Sequence, residues 1–366
     1  MALGYHELLS FVQQVLPKFH VTRQRNLALA ILGVLKVRDG HLTVSEIARG
    51  IPTTLDHWSK LKRIWRFLSN LKWSPTDCFP WILAFLLSRF KSKRYLPVII
   101  DQSTIAGRWE VLWASIPFRG RALPIYFQVF RHEDIRADPE GSQNKLEDQF
   151  VRDVVAMLPR SPSTLLLFDR GYARVPLLQL LDSLQVKYVV RVRKDVVVRY
   201  GDQHNGPLSA VSVGPGTLHW WPKALYHSTE SYPVNLAITL NATADEPWYL
   251  ATNLERSLTT VHWYERRFRC EELFKDIKDQ LHLETVRVKT TERVERLLFV
   301  LVIAYYVLTL FGAAAQRIGL RRKVCKDKVS LAWMALRLLF SPQFVTPRLV
   351  NNALFHWSWS LSYQTG

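Results

Sequence analysis

The chain has 366 residues, enough to bury more than one core, so we expect two or three domains. It carries 49 Lys and Arg against 31 Asp and Glu, a formal net charge of +18, although 48% of its residues are hydrophobic. This is the composition of a folded protein with a strongly basic surface, which suggests a polyanionic partner. Three isolated cysteines, Cys78, Cys270 and Cys325, exclude a disulfide framework or a cysteine metal site and fit a reducing cytosol.

Residues 1–95 have helical spacing and hold 15 Lys and Arg against 5 Asp and Glu, a net of +10 (15 minus 5). The segment 42–70 predicts two helices joined by a Gly-Ile-Pro turn, the first capped by Thr43 or Ser45. It resembles a helix-turn-helix, whose second helix enters the major groove. The cations expected to contact DNA are Lys60, Lys62, Arg63 and Arg66, while Trp58, Ile64, Trp65, Phe67 and Leu68 are expected to pack mostly inward. A helical hairpin with a merely basic face is the alternative.

The next segments alternate between strands and helices. Apolar runs predict strands at Pro97–Asp101, Trp109–Ile116, Leu123–Phe130, Leu165–Asp169 and Lys187–Arg193, and helices at Gln143–Met157 and Val175–Leu184. Three strands in hairpin order followed by helix, strand, helix and strand predict an α/β protein with an RNase-H-like mixed sheet flanked by helices. The first and fourth strands end on Asp101 and Asp169, and strand ends are where α/β proteins place their chemistry.

Residues 194–260 are rich in Gly, Pro, His and Ser with short alternating segments, which predict a β-rich insertion carried by the catalytic domain. Arg191, Arg193 and Arg199, at the start of this region, are either a solvated edge or a set of phosphate contacts. Leu297–Ala315 is apolar and nearly long enough to span a bilayer, but a helix buried on all sides is the favoured interpretation, and we expect no membrane association. A basic patch, Arg317–Lys328, and two more helices complete the chain.

One helix, Tyr264–Lys278, organises the prediction. At about 100° per residue, its apolar side chains share one arc, and Tyr264, Arg267, Glu271 and Lys278 share a neighbouring arc only about 60° wide. This spacing selects Glu271 over Glu272 as the acid beside the buried stripe, and it directs Asp276 toward solvent. An amphipathic core helix with a solvated charged face is the alternative.

If Asp101, Asp169 and Glu271 converge, their mutual repulsion requires cations between them. Oxygen ligands favour Mg²⁺ or Mn²⁺, and a pair of such ions can activate a hydroxyl and stabilise the leaving oxygen at one phosphodiester.

The spacing Y-x2-R-x3-E-x6-K over Tyr264, Arg267, Glu271 and Lys278, with Asp101 and the DRGY segment at 169–172 upstream, resembles the signature of DDE insertion-sequence transposases of the YREK class. The resemblance spans roughly residues 97–315. It implies an RNase-H-like domain that uses two Mg²⁺ ions, for which Mn²⁺ substitutes, held by Asp101, Asp169 and Glu271. It also implies cut-and-paste transposition, through DNA hairpins, by a homodimer that binds two transposon ends and target DNA.

The same resemblance assigns roles to further residues. Tyr264, Arg267 and Lys278 would face the phosphate backbone, and Trp248 would stack on a flipped base, unless it is a core residue. Arg170 and Tyr172 would hold the DNA terminus or merely shape a turn. The protein is then expected to be cytoplasmic and nucleoid-associated in a bacterium.

We therefore expect a helical DNA-binding domain at 1–95, a catalytic domain at 96–315 and a C-terminal helical region at 316–366 for DNA binding or dimerisation. Two alternatives remain: a transposon-derived DNA-binding protein without catalysis, and a metal-dependent nuclease without strand transfer. Retention of all three acids argues against the first, and the sequence does not separate the second from a transposase.

Overall fold

The computed structural model describes residues 3–37, 40–90, 94–241, 246–324 and 329–358. Within these ranges the centre of the protein is one ten-stranded mixed sheet with helices packed against it. Its strands are β1 (Tyr95–Ile105), β2 (Trp109–Phe118), β3 (Arg121–Phe130), β4 (Ser163–Phe168), β5 (Lys187–Arg191), β6 (Val197–Tyr200), β7 (His204–Pro207), β8 (Leu218–Tyr226), β9 (Tyr232–Thr239) and β10 (Trp248–Thr252). Their spatial order is β3-β2-β1-β4-β5-β10-β9-β8-β6-β7.

The first half of the sheet follows the predicted pattern. Strands β1, β2 and β3 form an antiparallel meander, and β1, β4 and β5 are parallel neighbours. The β2–β3 turn uses left-handed backbone at Arg119 and Gly120, as expected for a tight hairpin. The crossovers after β3 and β4 carry α6 (His132–Ala137), α7 (Gln143–Met157) and α8 (Val175–Ser183). The sequence did not predict α6.

The predicted β-rich segment continues the same sheet. Strand β10 pairs antiparallel with β5, and β9, β8, β6 and β7 extend the sheet outward from β10. Residues 194–260 therefore share a hydrogen-bonded framework with the strands that carry Asp101 and Asp169.

Five helices precede the sheet: α1 (Tyr5–Val15), α2 (Val21–Leu35), α3 (Val44–Gly50), α4 (His57–Leu68) and α5 (Phe79–Leu87). The Thr43 side chain caps α3 by accepting from the Glu46 amide, and Asp56 caps α4. Helices α2 and α3 cross so closely that a Cβ on Gly33 would stand 2.3 Å from the Ile47 carbonyl oxygen. The two helices at 42–70 thus exist, although six residues separate them.

The longest helix, α11 (Thr291–Arg317), lies at the centre of the helical layer. It is long and apolar enough to cross a membrane, but its apolar window is wholly buried against the protein. It contacts α2, α4, β3, α13 (Leu331–Leu339) and α14 (Pro347–Leu354), and the short α12 (Arg321–Val324) follows it. This is the environment of a core helix. Cys325 and residues 326–328 of the predicted basic patch lie outside the described residues.

Two arginines of α11 join the N-terminal helices to this layer. Arg296 donates to the carbonyl oxygens of Leu68 and Trp73, and Arg293 donates to the Ser69 hydroxyl. The region 1–95 therefore packs on the remainder of the protein and shares its hydrophobic core.

Candidate active site

The strand register brings two of the predicted acids to the same level. Strands β1 and β4 pair in parallel as far as Ile100 and Phe168, and the next residue on each strand is Asp101 or Asp169. Asp169 follows the end of β4 as predicted, but Asp101 does not end its strand, because β1 continues to Ile105 while paired only with β2. Asp101 thus lies where the pairing of β1 with β4 ends, at the carboxyl end of the parallel strands.

Arg267 connects the strand acids to the helix acid. Its guanidinium donates from Nη1 to Asp101 Oδ2 at 2.9 Å and from Nη2 to Glu271 Oε1 at 2.7 Å. The Arg267 side chain is only 7% exposed, whereas the Glu271 side chain is 55% exposed and borders solvent. One buried cation therefore spans two of the three predicted acids, and the spacing argument that selected Glu271 over Glu272 agrees with this geometry.

Electrostatics at this cluster are dominated by burial. Burial raises the pKa of Asp101 to about 6, and the nearby carboxylates of Asp169 and Glu271 add to this effect, while Arg267 and the Gln102 amide oppose it. Burial lowers the pKa of Arg267, but Tyr264 and the three acids outweigh that effect and hold it above its ordinary value. The cluster concentrates negative charge that a cation must balance.

The helix that carries Glu271 is less regular than predicted. It comprises α9 (Thr259–Glu265), a 3₁₀ turn at Arg266–Phe268, α10 (Arg269–Lys275) and a π-helical turn at Asp276–Gln280. These changes of pitch alter the spacing of 100° per residue, so the prediction that Asp276 faces solvent is wrong. Asp276 is 3% exposed and accepts a hydrogen bond from Arg121 Nε at 2.9 Å.

Arg121, which the sequence analysis missed, anchors this helix to the sheet. It lies at the start of β3 and also forms an ion pair with Glu272 at 2.7 Å, so it holds the residue next to Glu271. No local signal in the sequence identified the partners of Arg121, which lie 151 and 155 positions away (272 minus 121 and 276 minus 121).

We expect Arg121→Ala to lower the free energy of unfolding by about 3 to 5 kcal/mol, because it leaves the buried Asp276 carboxylate unpaired. Urea denaturation followed by tryptophan fluorescence measures this change. Arg49→Ala is the matched control, since the Arg49–Glu46 pair is exposed on α3 and such pairs contribute less than about 1 kcal/mol. Equal midpoints for the two variants would contradict the structural role of Arg121.

Lys278, the last residue of the predicted polar arc, has an acidic partner of its own. It lies in the π-helical turn and forms an ion pair with Glu284 at 2.9 Å. The same carboxylate accepts from the Ala106 amide in the β1–β2 turn. Lys278 therefore lies beside that turn, and its predicted DNA contact remains untested.

An aromatic cluster supports the Arg267 side of the site. Trp248, at the start of β10, stacks on Phe268 with ring centroids 5.7 Å apart and meets Tyr264 edge-on at 5.2 Å. The Arg267 guanidinium lies 4.8 Å from the Phe268 ring centroid. Trp248 is 8% exposed and Tyr264 is fully buried, and burial raises the pKa of Tyr264 to about 12. In this conformation Tyr264 and Phe268 contact the arginine that spans the acids, and Trp248 packs on both of those rings.

A cleft of about 760 Å³ gathers the arginines expected to bind phosphate. Its lining includes Arg170, Arg191 and Arg193 together with Arg174 and Lys194, against two acids, Asp195 and Glu246. Arg191 forms an ion pair with Glu246, and Arg193 with Asp195 at 2.7 Å. Arg199 does not line this cleft and donates to the Ser231 hydroxyl. Three predicted residues from two segments, Arg170 after β4 and Arg191 and Arg193 at and just beyond the end of β5, thus share one basic depression.

Tyr172 of the DRGY segment is buried beneath this region. Its ring lies 5.4 Å from Phe168, and burial, with Glu147 and Asp101 nearby, holds its pKa well above the ordinary value. Arg174 pairs with Glu147 at 3.1 Å and Asp148 at 2.8 Å, which ties the segment to α7. Tyr172 shapes the turn after Asp169 in this conformation.

The four cations predicted on the second N-terminal helix lie on α4. Lys62 and Arg66 are exposed and Lys60 is half-buried, whereas Arg63 donates to the Asn26 side chain at 2.8 Å. The prediction that Trp58 and Trp65 pack inward is wrong. The buried side chains of α4 are Ile64, Phe67 and Leu68. Both tryptophans lie at the surface, on the helix that carries Lys62 and Arg66.

The donor chemistry of the three acids suits a hard divalent cation, since all are carboxylates. Within the described ranges, however, no three His, Cys, Asp or Glu side chains lie close enough together to hold an ion. Arg267 occupies the space between Asp101 and Glu271 that such an ion would share.

Comparison with known families now bears on this arrangement. Residues 135–307 match the family model of the transposase DDE domain. This match supports a DDE transposase, and a transposase acts on DNA. The matched segment includes Asp169, Glu271 and the aromatic cluster but begins after Asp101. No curated protein matches the chain.

Proposed function

We propose that this DDE transposase uses Asp101, Asp169 and Glu271 as one catalytic set in an RNase-H-like domain. The observation that carries this proposal is the link from Asp101 through Arg267 to Glu271, with Asp169 on the adjacent strand. The electrostatic effect of Asp169 and Glu271 on Asp101 also supports this grouping, whose first and third acids are 170 positions apart (271 minus 101). A protein that only binds DNA has no physical need for these carboxylates.

The three acids would hold two Mg²⁺ ions, or Mn²⁺ in their place, once the Arg267 guanidinium moves from between them. The ions would supply Lewis-acid activation of a hydroxyl and stabilisation of the leaving oxygen at the phosphodiester. Glu271 is the acid most able to reorient, because its side chain is 55% exposed and, among the described residues, Arg267 is its one hydrogen-bond partner. A displaced Arg267 would then offer its two terminal nitrogens to a phosphate.

We propose that the reaction is cut-and-paste transposition of the YREK class, in which one site hydrolyses each end, forms and reopens a hairpin, and joins the end to target DNA. The Y-x2-R-x3-E-x6-K spacing supports this assignment. Trp248 would stack on a flipped base only after it separates from Phe268, since both ring faces are engaged or buried in this conformation. Tyr264 would position Trp248 for that step.

DNA would reach the site along two basic surfaces. The cleft lined by Arg170, Arg191 and Arg193 is adjacent to the acids, and Lys60, Lys62, Arg63 and Arg66 of α4 would contact the transposon end at a distance from them. Lys278 would contact the backbone near the β1–β2 turn. We further propose a homodimer on two ends, with α12–α14 as a DNA-binding or dimerisation region.

We expect Lys62→Ala and Arg66→Ala each to weaken DNA binding and to reduce the slope of log affinity against log salt by about one. Fluorescence anisotropy with a labelled duplex over a salt series measures both quantities. Lys145→Ala is the control, because Lys145 is an equally exposed cation far along the chain on α7. A slope that is the same for all three variants would exclude α4 from the DNA interface.

The reaction is tested by incubating the protein with Mg²⁺ and an end-labelled duplex that carries the flanking ends of its own element. Denaturing gels should resolve nicks, hairpins and joined products in succession. Nicks without joined products would support a nuclease without strand transfer. Binding without any cleavage would support a transposon-derived DNA-binding protein.

A further inference from the structure

A second polar pocket, of about 280 Å³, lies at the opposite end of the central strands from the acids. Its lining includes the first residues of β1 and β5, Tyr95 and Lys187, whereas Asp101 and Asp169 lie at the far ends of the parallel strands. Asp101 lies six residue steps along β1 from Tyr95 (101 minus 95), a distance of about 20 Å at about 3.3 Å per residue. This pocket is therefore distinct from the catalytic cluster.

The pocket concentrates positive charge from three separate segments. Arg94 precedes β1, Lys187 begins β5 and Arg256 follows β10, while Glu255 is the one acid among the described lining residues. Among the ion pairs of the described residues, which include Arg191 with Glu246 and Arg193 with Asp195, none involves Arg94, Lys187 or Arg256. Arg94 lies over the Tyr95 ring, 5.2 Å from its centroid, which holds the guanidinium at the pocket wall.

A buried hydroxyl at the pocket wall supplies an independent observation. Thr260 is fully buried, lines the pocket, and has no hydrogen-bond partner for its Oγ1 among the described residues. A buried hydroxyl without a partner is unfavourable, because it has lost its hydrogen bonds to water, so such groups usually bind a ligand or an ordered water. Nearby, Ser257 and Thr259 line the same pocket and hydrogen-bond through their hydroxyls at 2.7 Å.

We propose that this pocket binds a phosphate group, supplied by the DNA backbone at a point about 20 Å from the catalytic acids. Three cations and hydroxyl donors are the groups that recognise phosphate oxygens. The volume is below the range of about 300 to 1,000 Å³ typical of drug-sized ligands, which suits one phosphate with its sugar. The claim that the phosphate belongs to DNA rests on the proposed function, whereas the claim that the pocket binds a phosphate does not.

The test uses the full chain carrying Glu271→Gln in EDTA, so that no cleavage occurs. Anisotropy with a fluorescein-labelled duplex over a salt series compares this protein with a Lys187→Ala/Arg256→Ala derivative. We expect several-fold weaker binding and a salt slope smaller by about one, as for the loss of one neutralised phosphate. Lys145→Ala should change neither quantity. Thr260→Val, which keeps the side-chain shape, should weaken DNA binding without lowering the melting temperature.

A second arm uses orthophosphate as the probe and thermal unfolding as the readout. Millimolar orthophosphate should raise the melting temperature of the Glu271→Gln protein more than that of the double variant. If orthophosphate stabilises the protein but the double variant binds DNA normally, the pocket binds phosphate that does not come from DNA. If neither measurement changes, the pocket does not bind phosphate. Because neither arm requires cleavage, failure of the proposed transposition would leave both results interpretable.

Discussion

Glu271→Gln is expected to lower DNA cleavage in Mg²⁺ by about 10³-fold, because a metal site supplies several kcal/mol of charge stabilisation and each 1.36 kcal/mol is tenfold in rate. The amide keeps the size of the side chain and an oxygen that accepts from Arg267, so DNA binding and folding should remain near normal. Single-turnover cleavage of labelled end DNA measures the rate, and anisotropy measures binding.

Glu272→Gln is the control for this prediction. Glu272 is the next residue on α10, but its carboxylate pairs with Arg121 and is 44% exposed. Glu272 lies outside the proposed catalytic set, and Arg121 keeps Asp276 as a partner when Glu272 loses its charge, so cleavage should remain near the wild-type rate. If Glu271→Gln cleaves DNA as fast as Glu272→Gln does, Glu271 is not the third acid.

Arg267→Ala is expected to lower the free energy of unfolding by about 3 to 5 kcal/mol, because it strips the buried Asp101 carboxylate of its cation. The substitution also removes the guanidinium that packs on Phe268 within the aromatic cluster. Urea denaturation of the DNA-free protein measures the change. Arg269→Ala, which removes an exposed arginine two residues along the same helix, should be close to neutral.

A double-variant cycle separates charge from packing in this result. Asp101→Asn removes the charge that Arg267 balances, so Asp101→Asn/Arg267→Ala should be more stable than the sum of the two single changes predicts. Additive effects would mean that Arg267 stabilises the protein through its aromatic contacts alone. DNA cleavage should be lost in the two variants that carry Asp101→Asn, since both lack one of the proposed catalytic acids.

Local sequence patterns predicted most of the elements that hold this site. The hydrophobic runs placed β2 through β5 and α7 within a few residues of their bounds, because strand and helix periods are local properties. They did not reveal that β1 continues past Asp101. Beyond that residue β1 pairs with β2 alone, and its next three side chains are not buried. Residues 102–104 are partly or fully exposed, and a run of apolar residues cannot mark them.

The contacts within the site depended on long-range packing. A uniform helical projection found the proximity of Arg267 and Glu271, which are four residues apart, but it failed for Asp276 in the π-helical turn. There Arg121, from a distant hairpin, supplies a buried partner that no local pattern contains. The exposed Trp58 and Trp65 likewise violate the expectation that large aromatics are buried.

The hydrogen bonds between β10 and β5 have a mechanical consequence for the 194–260 segment. Trp248 begins β10 and Asp169 follows β4, and β5 lies between these two strands. The indole and the carboxylate are therefore attached to the same hydrogen-bonded sheet, two strands apart. The segment cannot swing as an independent lobe without rupturing backbone pairs. Any rearrangement that frees the indole must therefore come from rotation of side chains or from displacement of helices α9 and α10 relative to the sheet.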